Sequence, residues 1–521
     1  MGSKTGEKTL KRASMITFII LLSKLVGFGR EAVVAAFFGT SGVASAYTNS
    51  AALLSYFSLF FTTAVSAAFM PIYTRLKYKQ GIRKANRYAN SVLNLFILLS
   101  VVMMIAAYFL APQLSRLMWQ GESEASPEII ALMTKLSRMM FPTLIFLAMT
   151  GVLCNVCNAN ERFVPEQLQG FTLSFCIILA CVLYGANVTV EHLAMGTALS
   201  GVLHFILVLP FLKGIFKYQP QLEWRDPAIG HTFVAALPSL ISLCFDEVNG
   251  FVGKAIASSI SDSAPMIQTY SYRTLMLIQG ILIVPILTIM FPQMSQKAAR
   301  GDRKGFIITI RDCIEVISLI TFPIIVLVCV LNTEIVGILF QRGKFTMQDT
   351  LEVASALVFY IIGLFGFGLR NFMTRAFFAL QKNLIPMLVG IISVGIGIAL
   401  SVVLSKYYGI SGLLLASSIS ATLGAFLMFV ILRLNLGPMR ISKTVVQLIK
   451  IAIASGFCLG VTYIIKHFFP WQDDVFLHRF VRVLLAACGG LLVYIMMLIL
   501  LRVRSMFTFL RTILKKPASK T

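Results

Sequence analysis

The first long apolar segment, Met15 to Phe38, carries three charged residues, Lys24, Arg30 and Glu31. A charge at the centre of a bilayer costs about 2.5–3.5 kcal/mol even on lenient insertion scales, so such residues usually line a wet cavity or bind a ligand. Arg holds phosphate as a planar fork, and Lys holds it as a point charge. These residue types therefore predict a phosphate site inside the membrane. An ion pair with a purely structural role is the alternative.

The spacing along this segment places the charges at different depths. If a helix enters the membrane near residue 14, a rise of about 1.5 Å per residue puts Lys24 close to mid-membrane and Arg30 in the outer half. Lys24 and Glu31 are seven residues apart and share a stripe of the helix, whereas Arg30 projects away from Lys24. Gly27 and Gly29 lie between them and would let the helix bend or a ligand approach.

Further charges lie in two later apolar segments. Arg273 follows Tyr272 about one turn inside its span, where it would bind phosphate or snorkel to the interface. Asp246, Glu247 and Lys254 lie in the preceding span, with Glu247 and Lys254 on one stripe. These three are predicted to form a cation or proton site or to balance the basic residues. A structural ion pair stays open.

Charged residues also lie at the edges of other spans. Interfacial snorkelling is the simple interpretation, and a cytoplasmic gate of ion pairs is the alternative for spans nine and ten. The outer end of span four carries two cations, and spans nine and ten carry the others: Lys135, Arg138, Arg311, Asp312, Glu315, Arg370 and Arg375.

The elements that position these residues follow from composition. The 521 residues are 58% hydrophobic and 13% charged, with a mean hydropathy of +0.85, whereas soluble domains are roughly 45–50% apolar and 25% charged. We expect an all-α polytopic membrane protein whose first span is retained and not cleaved. Fourteen spans are predicted, at 14–37, 46–72, 88–111, 131–157, 165–186, 192–212, 231–260, 268–292, 306–331, 351–378, 386–406, 411–432, 446–466 and 479–501.

The formal net charge of +24 does not indicate a nucleic-acid partner, because the positive residues are sorted by membrane side. With these spans, 28 Lys and Arg fall in segments on one side and only three, Arg116, Arg342 and Lys344, on the other. The positive-inside rule then places both termini in the cytoplasm, with basic loops against anionic lipid head groups.

The sequence offers no sign of covalent catalysis. It has no nucleotide-binding G-x-x-x-x-G-K-[ST] run and no G-x-S-x-G elbow. The nine cysteines fall in or beside apolar spans and are interpreted as small buried hydrophobes, Cys154-x-x-Cys157 included. The five histidines show no ligand spacing. We therefore expect neither an enzyme nor a bound metal or cofactor, with coupling to the membrane potential or to a monovalent cation left open.

Several motifs carry a family resemblance. The run Ser23–Glu31 followed by Ala35, the segment Ala68–Ile72, the pair Tyr272–Arg273 with the later Phe291–Pro292, and the segment Phe340–Thr346 resemble the lipid II flippase family MurJ (MviN) of the MOP exporter superfamily. The likeness covers nearly the whole chain and weakens in the last hundred residues.

The resemblance implies two six-helix lobes around a cationic cavity, at 1–220 and 221–440. It also implies two C-terminal helices and a basic tail at 441–521, which form a lipid-facing groove. The last two spans are expected to be nearly free of internal charge and peripheral. The family moves undecaprenyl-diphosphate-linked peptidoglycan precursor from the inner to the outer leaflet of the bacterial cytoplasmic membrane.

The resemblance also carries residue roles. Lys24 (in place of the usual Arg), Arg30 and Arg273 would bind the substrate diphosphate, and Glu31 is the acidic partner of Arg30. Glu31, Asp246, Glu247 and Lys254 remain candidates for cavity or coupling roles. The chain departs from the family pattern at a further set of positions, which puts the coupling ion and the head group in question: Ser45, Phe57 or Ser58, Thr62, Ser401 and Ser405.

We therefore expect a flippase for lipid II that works by alternating access. Its partners would be the lipid-linked glycan, membrane lipids and, as an open expectation, cell-wall synthesis enzymes. Three alternatives stay open: a flippase for a teichoic-acid or exopolysaccharide unit, a cation-coupled multidrug antiporter, and a non-transporting scaffold. The basic residues of span one count against the antiporter, which would need acidic cavity residues.

Overall fold

The computed structural model describes residues 22–121, 126–220, 229–230, 247–439, 442–468, 476–504 and 506, with the backbone alone at 63–68. In these residues the regular secondary structure is entirely helical, and there is no β-strand. The predicted all-α class is confirmed. Asp246 lies outside the described residues, as do most of the predicted seventh span and both chain ends.

The contacts divide the chain into two compact units. The first unit comprises Met1–Met266 together with the short segment Arg342–Phe345, and the second comprises Ile267–Gln341 and Thr346–Thr521. The predicted domain limits at 220 and 440 stay a prediction.

The first unit contains nine described helices, two of which the structure describes only in part. They are α1 (22–38), α2 (Gly42–Leu59), α3 (Val65–Gln80), α4 (Ile82–Met118), α5 (Ser126–Met140), α6 (Thr143–Ala159), α7 (Val164–Tyr184), α8 (Val190–Leu212) and α9 (247–260).

Aromatic stacking forms the centre of one core cluster in this unit. Phe69 and Tyr73 lie one turn apart on α3 and stack at 5.5 Å, and Phe69 also stacks on Tyr88 of α4 at 5.3 Å. All three side chains are buried, and such pairs contribute about 0.5–1.5 kcal/mol beyond their buried area. The π-helical turn Phe60–Ala64 joins α2 to α3. There the Phe61 carbonyl lies so close to Gly151 of α6 that a Cβ would clash.

The second unit contains the remaining described helices. They are α10 (Ala264–Ala299, of which the first three residues belong to the first unit), α11 (Arg303–Val330), α12 (Asn332–Phe340), α13 (Met347–Ile361), α14 (Leu364–Ala379), α15 (Leu384–Leu436), α16 (Ser442–Phe468) and α17 (Phe476–Leu500).

Helix α15 covers two predicted spans. Its 53 residues would extend about 80 Å, far more than the roughly 30 Å of a hydrocarbon core. The chain breaks at Gly409, where φ is 56° and ψ is −136°. Just beyond, Gly412 approaches the Leu404 carbonyl so closely that a Cβ would overlap it. The break falls between predicted spans 386–406 and 411–432. Helix α15 is therefore two helical segments joined by a tight hairpin turn.

The number of spans is only partly resolved. In the described part of the chain, eight helices are long and apolar enough to cross a membrane, or up to ten if two bent pairs each form one span. The bent pairs are Ser126–Met140 with Thr143–Ala159, at 43°, and Met347–Ile361 with Leu364–Ala379, at 45°. They coincide with predicted spans four and ten. Fourteen spans stay a prediction.

Two boundary predictions were wrong. The predicted interruption at 112–130 is shorter, because α4 continues to Met118. The interruption at 332–350 contains α12, whose buried Val336 and Phe340 form an apolar face. A nine-residue helix is too short to cross the membrane, so the length of an apolar run does not predict it.

The last two helices pack on α11 through a second core cluster. Buried Ile451, Cys458, Ala486 and Leu498 belong to it, and the hydroxyl of Tyr494 donates to the Leu319 carbonyl at 2.7 Å. The opposite faces of α16 and α17 expose large apolar side chains, as lipid-facing helices do. The expectation that these helices are nearly free of internal charge was wrong, because Arg479 and Arg482 at the start of α17 are 7% and 5% exposed.

Candidate anion-binding site

The charged pair of α1 forms a direct contact. Arg30 Nη2 lies 2.5 Å from Glu31 Oε1, and the two side chains are 12% and 10% exposed. Consecutive helix residues point about 100° apart, so the long arginine side chain folds back to reach its neighbour. Removing charges from water is costly unless they are paired. The carboxylate therefore holds the guanidinium inside the helix bundle and fixes its position.

Lys24 has a different environment. It lies at the beginning of the described part of α1 and is exposed, although Glu31 on the same stripe is buried. Of the two glycines between them, Gly27 faces Ser174 of α7 at ordinary contact distance, whereas Gly29 has open space where a Cβ would be. A ligand could approach the backbone at Gly29.

A tyrosine that the sequence analysis missed lies near Arg30. Tyr47 of α2 is 8% exposed, and its hydroxyl hydrogen-bonds Thr197 of α8 at 3.0 Å. It is close enough to Arg30 and Glu31 to interact with both electrostatically. The sequence does carry a sign of it, because Tyr47 begins a run of four residues with hydrogen-bonding side chains, Tyr47–Ser50, inside an apolar span.

The structure joins two further charged candidates to α2. Lys254 of α9 donates to Asn49 Oδ1 at 3.3 Å, and Asn49 is fully buried. Glu247, two turns from Lys254 on the same stripe of α9, is half-buried and interacts electrostatically with Tyr56. Gly250 lies between them, where a Cβ would stand 3.4 Å from the Tyr56 hydroxyl. Helix α9 thus turns a polar stripe toward α2, and sequence reasoning missed the Asn49 partner.

Arg273 lies in the second unit, on an exposed face of α10. Its neighbour Tyr272 is 41% exposed, whereas Tyr270 is buried and packs on Phe340 of α12 at 4.8 Å. The first unit holds Lys24 and Arg30. The shared role of these three cations therefore stays a prediction.

The segment Arg342–Phe345 turns onto α1 within the first unit. Lys344 N–H donates to the Ala36 carbonyl at 2.7 Å, and Phe345 N–H donates to the Arg342 carbonyl at 3.1 Å. Gly343 has a φ of 58°, a left-handed backbone conformation that favours glycine. The turn contacts the helix that carries Arg30 and Glu31.

A buried charge cluster lies at one end of α12, α16 and α17 in the second unit. Glu334 Oε2 lies 3.1 Å from Lys466 Nζ, and Glu334 Oε1 lies 3.5 Å from Arg482 Nη1. Arg479 Nη1 donates to Gln341 Oε1 at 2.5 Å. These contacts fasten the last two helices to α12.

The remaining polar candidates show little convergence. Ser401 is 8% exposed, whereas Ser405 is half-buried and donates to the Val402 carbonyl at 3.3 Å. Cys154 and Cys157 are buried free thiols. Over the residues that the structure describes, no three His, Cys, Asp or Glu side chains are grouped as metal ligands.

A family model described as Lipid II flippase MurJ matches residues 34–485. A relative from Vibrio cholerae, named a probable lipid II flippase MurJ, is 25% identical over 468 residues, which cover 87% of this chain and 89% of the relative.

Two solved structures share the fold. A lipid II flippase MurJ in an inward closed conformation superposes with a TM-score of 0.77 at 23% identity, covering 94% of this chain and 99% of that one. An inward-facing multidrug resistance MATE family transporter of the MOP superfamily gives 0.67 at 14% identity, covering 81% and 95%.

Proposed function

The chain belongs to the lipid II flippase MurJ family, and from this premise we propose that it moves lipid II from the inner to the outer leaflet of the bacterial cytoplasmic membrane. Lipid II is the undecaprenyl-diphosphate-linked peptidoglycan precursor, so its polar part is a large anionic head group. Carrying it requires a polar path through helices whose outer surfaces are apolar. Relatives of similar length carry this function in their names.

The observation that carries the proposal is the Arg30–Glu31 pair, held almost buried in an apolar helix. A guanidinium kept at this depth is a fixed donor for phosphate oxygens, and the adjacent carboxylate offsets its burial cost when no ligand is bound. We assign Arg30, Lys24 and Arg273 to the diphosphate. Exposed Lys24 would make first contact as a mobile point charge.

Alternating access would be coupled to charge. Glu31, Glu247 and Lys254 are the described candidates, and Asp246 is the fourth. A membrane potential changes the energy of a charged group by about 2.3 kcal/mol per elementary charge per 100 mV. The Lys254–Asn49 contact links the polar stripe of α9 to α2 within the first unit. The driving force would be the potential or a monovalent cation, with no bound cofactor and no covalent reaction.

The other substrates are less well supported. A flippase for a teichoic-acid or exopolysaccharide unit would use the same diphosphate cations, so the family match is what favours lipid II. The likeness to a multidrug transporter is one of fold. The protein would span the membrane many times with both termini in the cytoplasm, contacting lipids and, in the wider proposal, cell-wall enzymes.

Complementation tests the proposal directly. In a bacterium depleted of its own lipid II flippase, the wild type should restore growth, and Arg30→Ala and Arg273→Ala should fail at equal membrane abundance. Arg300→Ala is the matched control, because Arg300 is exposed just beyond α10 and its loss removes one positive charge outside the proposed site. Growth with all variants would reject the assigned cations. Failure of a well-inserted wild type would reject lipid II as substrate.

A further inference from the structure

A cavity of about 700 Å³ lies between α4 and α5 in the first unit, away from the α1 site. This volume falls within the range of roughly 300–1,000 Å³ typical of small-molecule sites. It is lined by three cations, Arg116, Lys135 and Arg138. Among the described residues that line it there is no carboxylate.

Arg138 is held in place on the cavity wall. Its guanidinium carbon lies 4.8 Å from the centre of the Tyr108 ring, and its Nε donates to the Tyr108 carbonyl at 3.2 Å. Cation–π contact and this hydrogen bond fix the side chain. Its terminal nitrogens form no hydrogen bond within the described chain. The terminal fork is therefore preorganised for an acceptor such as phosphate.

The other two cations, Lys135 and Arg116, differ in their ion-pair partners. Lys135 pairs with Glu191 of α8 at 2.6 Å, but both side chains are well exposed at 62% and 37%, where such a pair contributes little. The Arg116 side chain has no ion pair or hydrogen bond with any other described residue. Three like charges around one cleft raise the local concentration of anions.

The rest of the lining is apolar. Pro112, Ile130 and Met139 line the cavity beside the Tyr108 ring. A free inorganic anion would gain nothing from these side chains, whereas a lipid would place its acyl chains along them. Tyr108 and several neighbours on α4, including Phe109 at 69% exposure, face outward.

The position of this cavity argues against simple snorkelling. The charge distribution predicts that this end of α4 faces outside, where only three Lys and Arg occur in the loops, and Arg116 is one of them. Three cations gathered at one cleft on the basic-poor side call for a specific anion. We propose that the cavity between α4 and α5 binds the phosphodiester head group of an anionic phospholipid, with Arg116 and Arg138 on the phosphate and the chains along Ile130 and Met139.

Native mass spectrometry of the full-length protein in detergent tests this without any flipping assay. Phosphatidylglycerol should be retained by the wild type in preference to phosphatidylcholine. Arg116→Gln with Arg138→Gln should weaken retention roughly tenfold, as the loss of charge-assisted hydrogen bonds predicts. Arg83→Gln with Arg87→Gln is the matched control, because it removes two exposed charges from the opposite end of the same helix and should retain the lipid.

A second variant guards against misfolding of the first. Ala131→Trp fills the cavity without changing any charge, and it should also abolish retention while elution and helicity stay normal. Equal retention by the wild type, the Arg116/Arg138 variant and Ala131→Trp would overturn the proposal. Displacement of phosphatidylglycerol by millimolar inorganic phosphate would reassign the site to a free anion. Stronger competition by undecaprenyl diphosphate would reassign it to the transported lipid. Either result would overturn the phospholipid assignment.

Discussion

The backbone N–H of Lys344 donates a 2.7 Å hydrogen bond to the carbonyl of Ala36. Residues about three hundred positions apart in sequence thereby meet on α1, little more than one turn beyond Arg30 and Glu31. Ala36 lies in the last turn of α1, where helix carbonyls have no donor within the helix, so the Lys344 N–H caps one of them. This contact fixes the outer part of α1.

Gly343→Ala should destabilise the protein strongly. Gly343 has a φ of 58°, and a Cβ there would overlap the carbonyl oxygen of Ala36. The left-handed backbone alone costs a non-glycine residue roughly 1–2 kcal/mol, and the clash adds to it. Thermal unfolding in detergent measures the loss. Gly185→Ala is the control, because Gly185 has a φ of 49° with open space around it. Equal melting temperatures for the two variants would disprove the close contact.

Glu31→Gln should lower the free energy of unfolding by more than the same change at an exposed carboxylate would. Removing one partner of a buried ion pair costs roughly 3–5 kcal/mol, because the other charge stays buried. Arg30→Gln combined with Glu31→Gln should recover much of that loss and still fail in complementation. Thermal unfolding and growth rescue are measured on the same variants. Rescue by the double variant would show that the pair is only structural.

Glu334→Gln should loosen the last two helices. Glu334 is 4% exposed and contacts Lys466 and Arg482, of which Arg482 is nearly buried. We expect a loss of roughly 3 kcal/mol or more. Glu191→Gln, which removes the exposed partner of Lys135, should cost about 0–1 kcal/mol. Hydrogen exchange of α16 and α17 reports the effect locally, and unchanged protection in Glu334→Gln would contradict the fastening role.

Two glycines of α15 should respond differently to replacement by alanine. Gly412→Ala places a Cβ against the Leu404 backbone and should lower the melting temperature. Gly395 has open space around it, so Gly395→Ala should be neutral or stabilise the helix by up to about 1 kcal/mol. Thermal unfolding compares the melting temperatures of the two variants, which carry the same Gly→Ala substitution. A stabilising Gly412→Ala would mean that the hairpin at Gly409 is more open.

The sequence predicted the features that depend on local composition. Long apolar runs indicated the helices, and the cost of a charge in hydrocarbon singled out Lys24, Arg30 and Glu31. The break of α15 at Gly409 falls between the predicted spans 386–406 and 411–432. The all-α class is confirmed because length and hydropathy are read from neighbouring residues alone, whereas the roles of Lys24, Arg30 and Glu31 stay predictions.

The features that the sequence analysis missed depend on distant contacts. Arg479 and Arg482 lie at a helix end, where the sequence does not distinguish an interfacial arginine from a buried one. Their contacts with Gln341 and Glu334 come from a distant part of the chain. Asn49 is one polar residue in an apolar span, and only its contact with Lys254 distinguishes it. The close contact of Gly343 with Ala36 joins residues far apart in sequence, so only the tertiary structure reveals it.

The assignment of Arg342–Phe345 to the first unit has a consequence for biosynthesis. A ribosome delivers Met1–Met266 first, yet this unit lacks its last four residues until Ile267–Gln341 has also been made. At roughly 5–20 residues per second, that interval is on the order of ten seconds. During this interval the Ala36 carbonyl cannot accept from Lys344, so the nascent first unit lacks this contact until Arg342–Phe345 has been synthesised.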